Sequence, residues 1–148
     1  MLSSQRDEAR TQMKSNLYSE SAWECLSWSM HYMSDMSMPW HTQSVADPVQ
    51  PATHALYEGY MQEKFTDPEY GFKAALVSAP NTWVVISDPA SSARSLASFS
   101  SSKYLGLQAR IATNPSGWGE DTWVKSTTKD LLQEGFKYNM GPVEYATH

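Results

Sequence analysis

The chain has 148 residues, 41% of them hydrophobic and 18% charged, with a formal net charge of -5 at pH 7. This length and composition predict one globular domain spanning residues 1–148 and exclude a disordered chain. The net negative charge argues against a basic nucleic-acid-binding surface, because phosphate affinity normally comes from clustered Lys and Arg. Nucleic acid stays open as a substrate, since bound metal ions can supply local positive charge.

Cys25 is the single cysteine. It excludes an internal disulfide and a cysteine-rich zinc site, so a metal would have to be held by His, Asp and Glu. The first residues are polar and lack the apolar stretch of a signal peptide, and we therefore expect none in this chain. No run approaches the roughly 18 apolar residues of a transmembrane helix, and compartment and oligomeric state stay open.

Periodicity, capping residues and prolines divide the chain into helices. The predicted ranges are approximately 4–16, 20–36, 51–65, 70–78, 89–112 and 122–136. Ser21 and Glu24 have the spacing of a capping box, and Gly135 is expected near the end of the last helix. The run Trp83 to Ile86 is strand-like in its β-branched content and stays ambiguous. The predicted fold class is an all-α, irregular array of helices.

Three tryptophans recur near the second predicted helix. Trp23, Trp28 and Trp40 could line a lipid or base pocket, but aromatic residues at helical spacing usually pack in a core, and we expect that here. The methionines between Met30 and Met38 are interpreted as flexible core filling.

The most informative pattern joins three of the four histidines to two carboxylates. Its members are His31, Asp35, His41, His54 and Glu58. Residues four apart share a helix face, so each of the two helices presents one His/carboxylate pair, and the intervening connection carries the third histidine. Either pair alone is more often an ordinary hydrogen-bonded pair than a metal site.

Imidazole and carboxylate together suit zinc, which leaves a position for water when the protein supplies only three ligands. His41, His54 and Glu58 make such a set. Zinc-bound water is acidic enough to act as a hydroxide nucleophile near neutral pH, and phosphodiester hydrolysis is a natural use for a cluster of such ions.

The segment AWECLSWSMHYMSDMSMPWHTQ resembles the metal-binding helix of bacterial zinc phospholipases C and of fungal and plant S1/P1 nucleases. That family reads H-Y-x-x-D-x-x-x-P-x-H, followed by H-x-x-x-E or H-x-x-x-D on the next helix. The matching residues here are His31, Tyr32, Asp35, Pro39, His41, His54 and Glu58. The resemblance covers Ala22 to Phe65, and the short interval between His41 and His54 favours the phospholipases.

The resemblance implies a helical fold of the phospholipase C type, up to three zinc ions and hydrolysis of a phospholipid by metal-bound hydroxide. It implies that His31 and Asp35 serve a paired-zinc site, with Asp35 bridging two ions, and that His41, His54 and Glu58 hold the remaining zinc. Pro39 would shape the turn that delivers His41, and Tyr32 would be a packing residue.

Several ligands that the family places before this motif have no counterpart, because no histidine precedes His31. Two interpretations stay open: an incomplete member, or a divergent one that keeps one complete zinc site and a half-site. Both leave catalysis by this chain uncertain. The alternatives to a phospholipase are an S1/P1-type single-strand nuclease and a non-catalytic helical domain with one structural zinc or none. Family members are usually secreted.

Overall fold

The computed structural model describes residues 2–16, 19–43, 49–79, 84 and 88–147. These ranges contain helices and turns and no strand, which confirms the all-α prediction. Six α-helices lie in the described residues: α1 (Leu2–Ser15), α2 (Glu20–Asp35), α3 (Gln50–Lys64), α4 (Phe72–Val77), α5 (Pro89–Thr113) and α6 (Thr122–Thr147). Two short 3-10 helices, Pro39–Thr42 and Trp118–Glu120, precede α3 and α6. The strand-like run at 83–86 lies, apart from Val84, outside the described residues.

Helix starts follow the local sequence, with one correction. Asp88 caps α5, because its side chain accepts a hydrogen bond from the backbone N–H of Ala90. Pro51 lies in the first turn of α3, where a missing N–H costs nothing. The capping box predicted at Ser21 and Glu24 is wrong. The N-cap of α2 is Ser19, whose hydroxyl contacts that of Ser21 and caps no backbone group.

The last helix runs further than the sequence predicts. We expected α6 to end near Phe136 with Gly135 at its terminus, but its backbone stays helical to Thr147. The glycine has a packing reason instead. A Cβ at Gly135 would lie 2.8 Å from the Cβ and Oγ of Ser37, so α6 approaches the end of α2 more closely than any other residue would allow.

Aromatic residues dominate the core between α3, α5 and α6. The buried members of this cluster are Trp40, Tyr57, Tyr60, Tyr70, Phe72, Tyr104, Leu107, Ile111, Trp118, Val124 and Leu131. A smaller cluster joins α1 to α2 through Ala9, Met13, Ala22 and Leu26. α2 and α4 also pack on α6, while α3 packs on α5.

The tryptophan prediction is correct for one residue of three. Trp40 is 2% exposed and belongs to the core, whereas Trp23 and Trp28 are 49% and 48% exposed. The buried stripe of α2 consists of Ala22, Leu26, Ser29 and Met33, whose four-three-four spacing also defines one helix face. Small and aliphatic side chains fill this face because α1 packs closely along it.

Among the described ranges, none of the helices combines the length and apolar character needed to cross a membrane.

Candidate metal centre

The first His/carboxylate pair lies on the open face of α2. His31 and Asp35 are each about half a helical turn from the buried Met33, which directs them away from the core. Their side chains are 60% and 30% exposed. The Trp28 ring lies on the same face and packs edge-on against the His31 imidazole, with ring centroids 5.8 Å apart.

The turn after α2 brings His41 back toward this pair. The backbone N–H of Met38 donates to the Asp35 carbonyl, and that of His41 donates to the Met38 carbonyl, both at 3.1 Å. The neighbouring Trp40 anchors the turn, since its buried indole N–H donates to Thr53 Oγ1 at 3.1 Å. The position of His41 is therefore set by a tryptophan that ties the 3-10 helix to α3.

α3 supplies the second pair at the edge of its buried face. Thr53 and Tyr57 point into the core, and the residue after each, His54 and Glu58, borders it. The His54 imidazole lies parallel to the Trp40 indole, with 3° between the planes and 6.0 Å between centroids. It meets the His41 ring edge-on at 4.9 Å. Ring contacts thus restrict the orientation of His54 on two sides.

We call the set of His41, His54 and Glu58 the ligand cluster. Each of these side chains can offer one ligand atom to a single metal ion. Their donor atoms all lie within 4.8 Å of one another. Glu58 Oε1 is 2.9 Å from His54 Nε2 and 3.9 Å from His41 Nε2. Two ligands of one tetrahedral zinc are about 3.3 Å apart, given zinc–ligand bonds of about 2.0–2.2 Å, so these distances fit a single zinc after small side-chain adjustments.

His31 and Asp35 form only half of a site. His31 Nε2 lies 3.6 Å from Asp35 Oδ2, while Asp35 Oδ1 lies 3.2 Å from His41 Nδ1. The sequence-predicted residues therefore form one continuous string of contacts running from His31 through Asp35, His41 and Glu58 to His54. Two donors are too few for tight zinc binding at the half-site without ligands from elsewhere.

A cavity of about 390 Å³ opens beside the ligand cluster. Asp35, His41 and Glu58 lie on its wall at one side. The rest of the wall is mainly apolar and comes from the connection after α2, from α3, α4 and α6: Met38, Pro39, Tyr57, Met61, Leu76, Leu131, Leu132 and Phe136. Charged groups at one edge and aliphatic groups elsewhere give the cavity an amphipathic character.

Tyr57 connects the cavity wall to the core behind it. Its hydroxyl is 2.9 Å from Thr128 Oγ1 on α6. Burial raises the pKa of Tyr57 to about 12, against a smaller opposing effect of the Thr128 hydrogen bond, so the phenol is neutral at physiological pH. The Tyr57 side chain therefore lines the cavity and does not act as an acid or a base.

Compared with protein-family models, curated proteins and solved structures, the chain has no match. The resemblance to zinc phospholipases and S1/P1 nucleases thus depends on the residues between Ala22 and Phe65 alone. Its consequences for activity are proposals.

Two features of the candidate metal centre were not predicted from the sequence. One is which His/carboxylate pair His41 contacts: the connection could bring it to either, and the turn after α2 places it within 3.2 Å of Asp35 and 3.9 Å of Glu58. The other is the contribution of α6 to the cavity wall, through Thr128, Leu131, Leu132, Gly135 and Phe136. Their spacing marks a single helix face, a signal present in the sequence that nothing there connected to the histidines.

Proposed function

We propose that this protein binds zinc through the ligand cluster and is a phospholipase C-like phosphodiester hydrolase. The observation that carries the proposal is the convergence of two imidazoles and a carboxylate, delivered by two elements, at the edge of an amphipathic cavity. Two histidines and one carboxylate are a common ligand set of catalytic zinc, which keeps a further position for water or substrate.

The chemistry assigned to the centre divides between metal and protein. A zinc held there would acidify a coordinated water and polarise a phosphate oxygen. His41, His54 and Glu58 would hold the ion, while the Trp40 indole and the backbone turn after α2 keep the two histidines in place. The apolar wall would limit the access of bulk water to a bound diester.

The residues that line the cavity favour a lipid over a nucleic acid as the substrate. Its wall is rich in Leu and Met side chains, which can accept acyl chains, and no lysine or arginine is among its described lining residues. A nuclease would be expected to offer basic groups along the path of a strand. The short interval between His41 and His54 favours the same substrate class.

The resemblance also assigns zinc to His31 and Asp35, up to three ions in all. This part of the proposal requires ligands beyond those two side chains. A protein that binds one zinc and hydrolyses nothing would instead be a helical domain with a structural zinc that ties the connection after α2 to α3.

Zinc-loaded protein should be assayed on short-chain phosphatidylcholine and, in parallel, on single-stranded DNA. Zinc-dependent release of phosphocholine, lost in His54→Ala and kept in Asp130→Asn, is the expected result; Asp130 is exposed on α6. Cleavage of DNA alone would replace the phospholipase with the nuclease. Zinc binding without hydrolysis of either substrate would favour the structural role, and absence of zinc binding would refute the proposal.

A further inference from the structure

Asp35 lies between two imidazoles and contacts each through a different oxygen. Its Oδ1 is 3.2 Å from His41 Nδ1, within hydrogen-bonding range, and its Oδ2 is 3.6 Å from His31 Nε2. The two contacts are therefore not equivalent. The carboxylate lies closer to His41 than to His31.

The contact favours one tautomer of His41. An ionised carboxylate oxygen can only accept, so a hydrogen bond across the 3.2 Å contact would be donated by His41 Nδ1. In a neutral imidazole this leaves the Nε2 lone pair free. Nε2 faces Glu58 Oε1 at 3.9 Å, too far for a hydrogen bond but suitable for two ligands of a common ion.

The backbone makes this arrangement a property of the fold. Consecutive turn hydrogen bonds, Ser37 N–H to the Ser34 carbonyl and Met38 N–H to the Asp35 carbonyl, lead the chain directly out of α2. From α5, the Ser100 hydroxyl donates to the Met36 carbonyl at 2.6 Å. These contacts hold the end of α2 and the 3-10 helix in one register, so Asp35 and His41 meet without depending on a bound ligand.

A bridging role for Asp35 would use both of its oxygens on metal ions. Bridging would also need ligands for a second ion, and the ion-pair partner of Oδ2 among the described residues is His31 alone, which leaves that ion too few donors. Histidine ligands of zinc commonly donate their second ring nitrogen to a carboxylate, which fixes the tautomer and orientation of the ring. The contact between Asp35 and His41 has that form.

We infer that Asp35 is a positioning residue, which orients His41 and fixes its Nδ1–H tautomer, in place of the bridging role that the family resemblance implies. The inference builds on the zinc site proposed for the ligand cluster. Its first test needs no metal, however, and so remains valid if the chain binds no zinc.

The first test is the tautomer of His41 in the metal-free protein, measured by long-range proton–nitrogen NMR correlation near pH 8. The expected result is the Nδ1–H form in the wild type and a shift toward the Nε2–H form in Asp35→Ala. Asp35→Asn keeps an acceptor oxygen but adds N–H donors, so its tautomer should shift less than that of Asp35→Ala. An Nε2–H form in the wild type, or an unchanged tautomer in Asp35→Ala, would overturn the inference.

The second test is zinc titration of the same variants. Asp35→Ala should bind one zinc per chain, like the wild type, with an affinity about 10–100-fold weaker. The matched control Asp130→Asn should bind like the wild type. A zinc stoichiometry that falls in Asp35→Ala would establish Asp35 as a metal ligand and overturn the positioning role. Wild-type protein that binds no zinc would refute the proposed function, while the tautomer would still decide the role of Asp35.

Discussion

Two polar clusters of the molecule differ in how their carboxylates are neutralised. In the tyrosine–glutamate cluster, Glu120 accepts hydrogen bonds from the Tyr70 hydroxyl and from Lys125, whose Nζ is 2.7 Å away and lies 4.4 Å from the centre of the Tyr70 ring. At the metal centre, the ion-pair partners of Asp35 and Glu58 among the described residues are imidazoles. One cluster contains its own permanent cation, and the other contains only groups that become cationic on protonation.

This difference separates a structural contact from a candidate binding site. The hydrogen bond from Lys125, followed by that from Tyr70, lowers the pKa of Glu120, which marks a carboxylate satisfied by the protein itself. In the ligand cluster, one carboxylate and two imidazoles place a donor atom each within 4.8 Å of one another. A divalent cation can satisfy several of them at once, whereas a proton can satisfy only one pair.

The largest expected effect comes from removing a ligand. In His54→Ala, the stabilisation by zinc should be lost, about 2.7 kcal/mol at a zinc concentration 100-fold above Kd. In His31→Ala the zinc-dependent shift should remain, because His31 does not belong to the ligand cluster. Thermal unfolding with and without zinc measures both. Equal loss in the two variants would mean that the half-site and the ligand cluster bind as a unit.

The next effect tests whether the metal centre depends on the packing behind it. Gly135→Ala places a methyl group against Ser37, and the resulting overpacking should cost about 1–3 kcal/mol of unfolding free energy. It should also weaken zinc binding, because Ser37 lies between Asp35 and His41 in the chain. Chemical denaturation and zinc titration give the two quantities.

Gly106→Ala is the matched control for this clash. Its Cβ would lie 2.5 Å from the Trp123 ring, and neither residue lines the cavity beside the ligand cluster. It should lose stability without losing zinc affinity. A fall in zinc affinity as large as that of Gly135→Ala would mean that the effect is global and not local.

A smaller effect is expected for the buried phenol beside the cavity. Tyr57→Phe removes the hydrogen bond to Thr128, which is fully buried, and should cost about 1–2 kcal/mol. Zinc affinity should not change, since the hydroxyl faces α6 and not the ligand cluster. Urea denaturation checks the first statement and calorimetric titration the second. A weakened zinc site would assign the hydroxyl a role at the metal centre.

The smallest effect distinguishes the two clusters by pH. Because the pKa of Glu120 is lowered by folding, its ionised form stabilises the protein above the unfolded pKa of about 4.3, and this contribution is lost as pH falls through the folded pKa. The difference in stability between the wild type and Glu120→Gln should therefore shrink between pH 7 and pH 3. Urea denaturation over that range measures it, and a difference independent of pH would contradict the lowered pKa.

Much of the fold was predictable because local signals agree with the packing. Asp88 and Pro89 mark the start of α5, and Pro51 marks that of α3. The end of α6 was not predictable, because Gly135 has a role set by Ser37, far away in the chain. The exposure of Trp28 was not predictable either, because the contacts of α2 with α1 and α6 decide which of its faces is buried.

The candidate site was also predictable only in part. Helical spacing alone pairs His31 with Asp35 and His54 with Glu58, and the structure brings both pairs within contact distance. The position of His41 between them depends on the Trp40 anchor and on turn hydrogen bonds. These are tertiary features, and spacing carries no information about them.

The most direct test of the central claim is zinc stoichiometry, measured by equilibrium titration and native mass spectrometry of the full chain. The ligand cluster predicts one zinc per chain in the wild type and none in His54→Ala, with the fold retained in both. Absence of bound zinc at saturating concentration, or an unchanged zinc content in His54→Ala, would contradict the account.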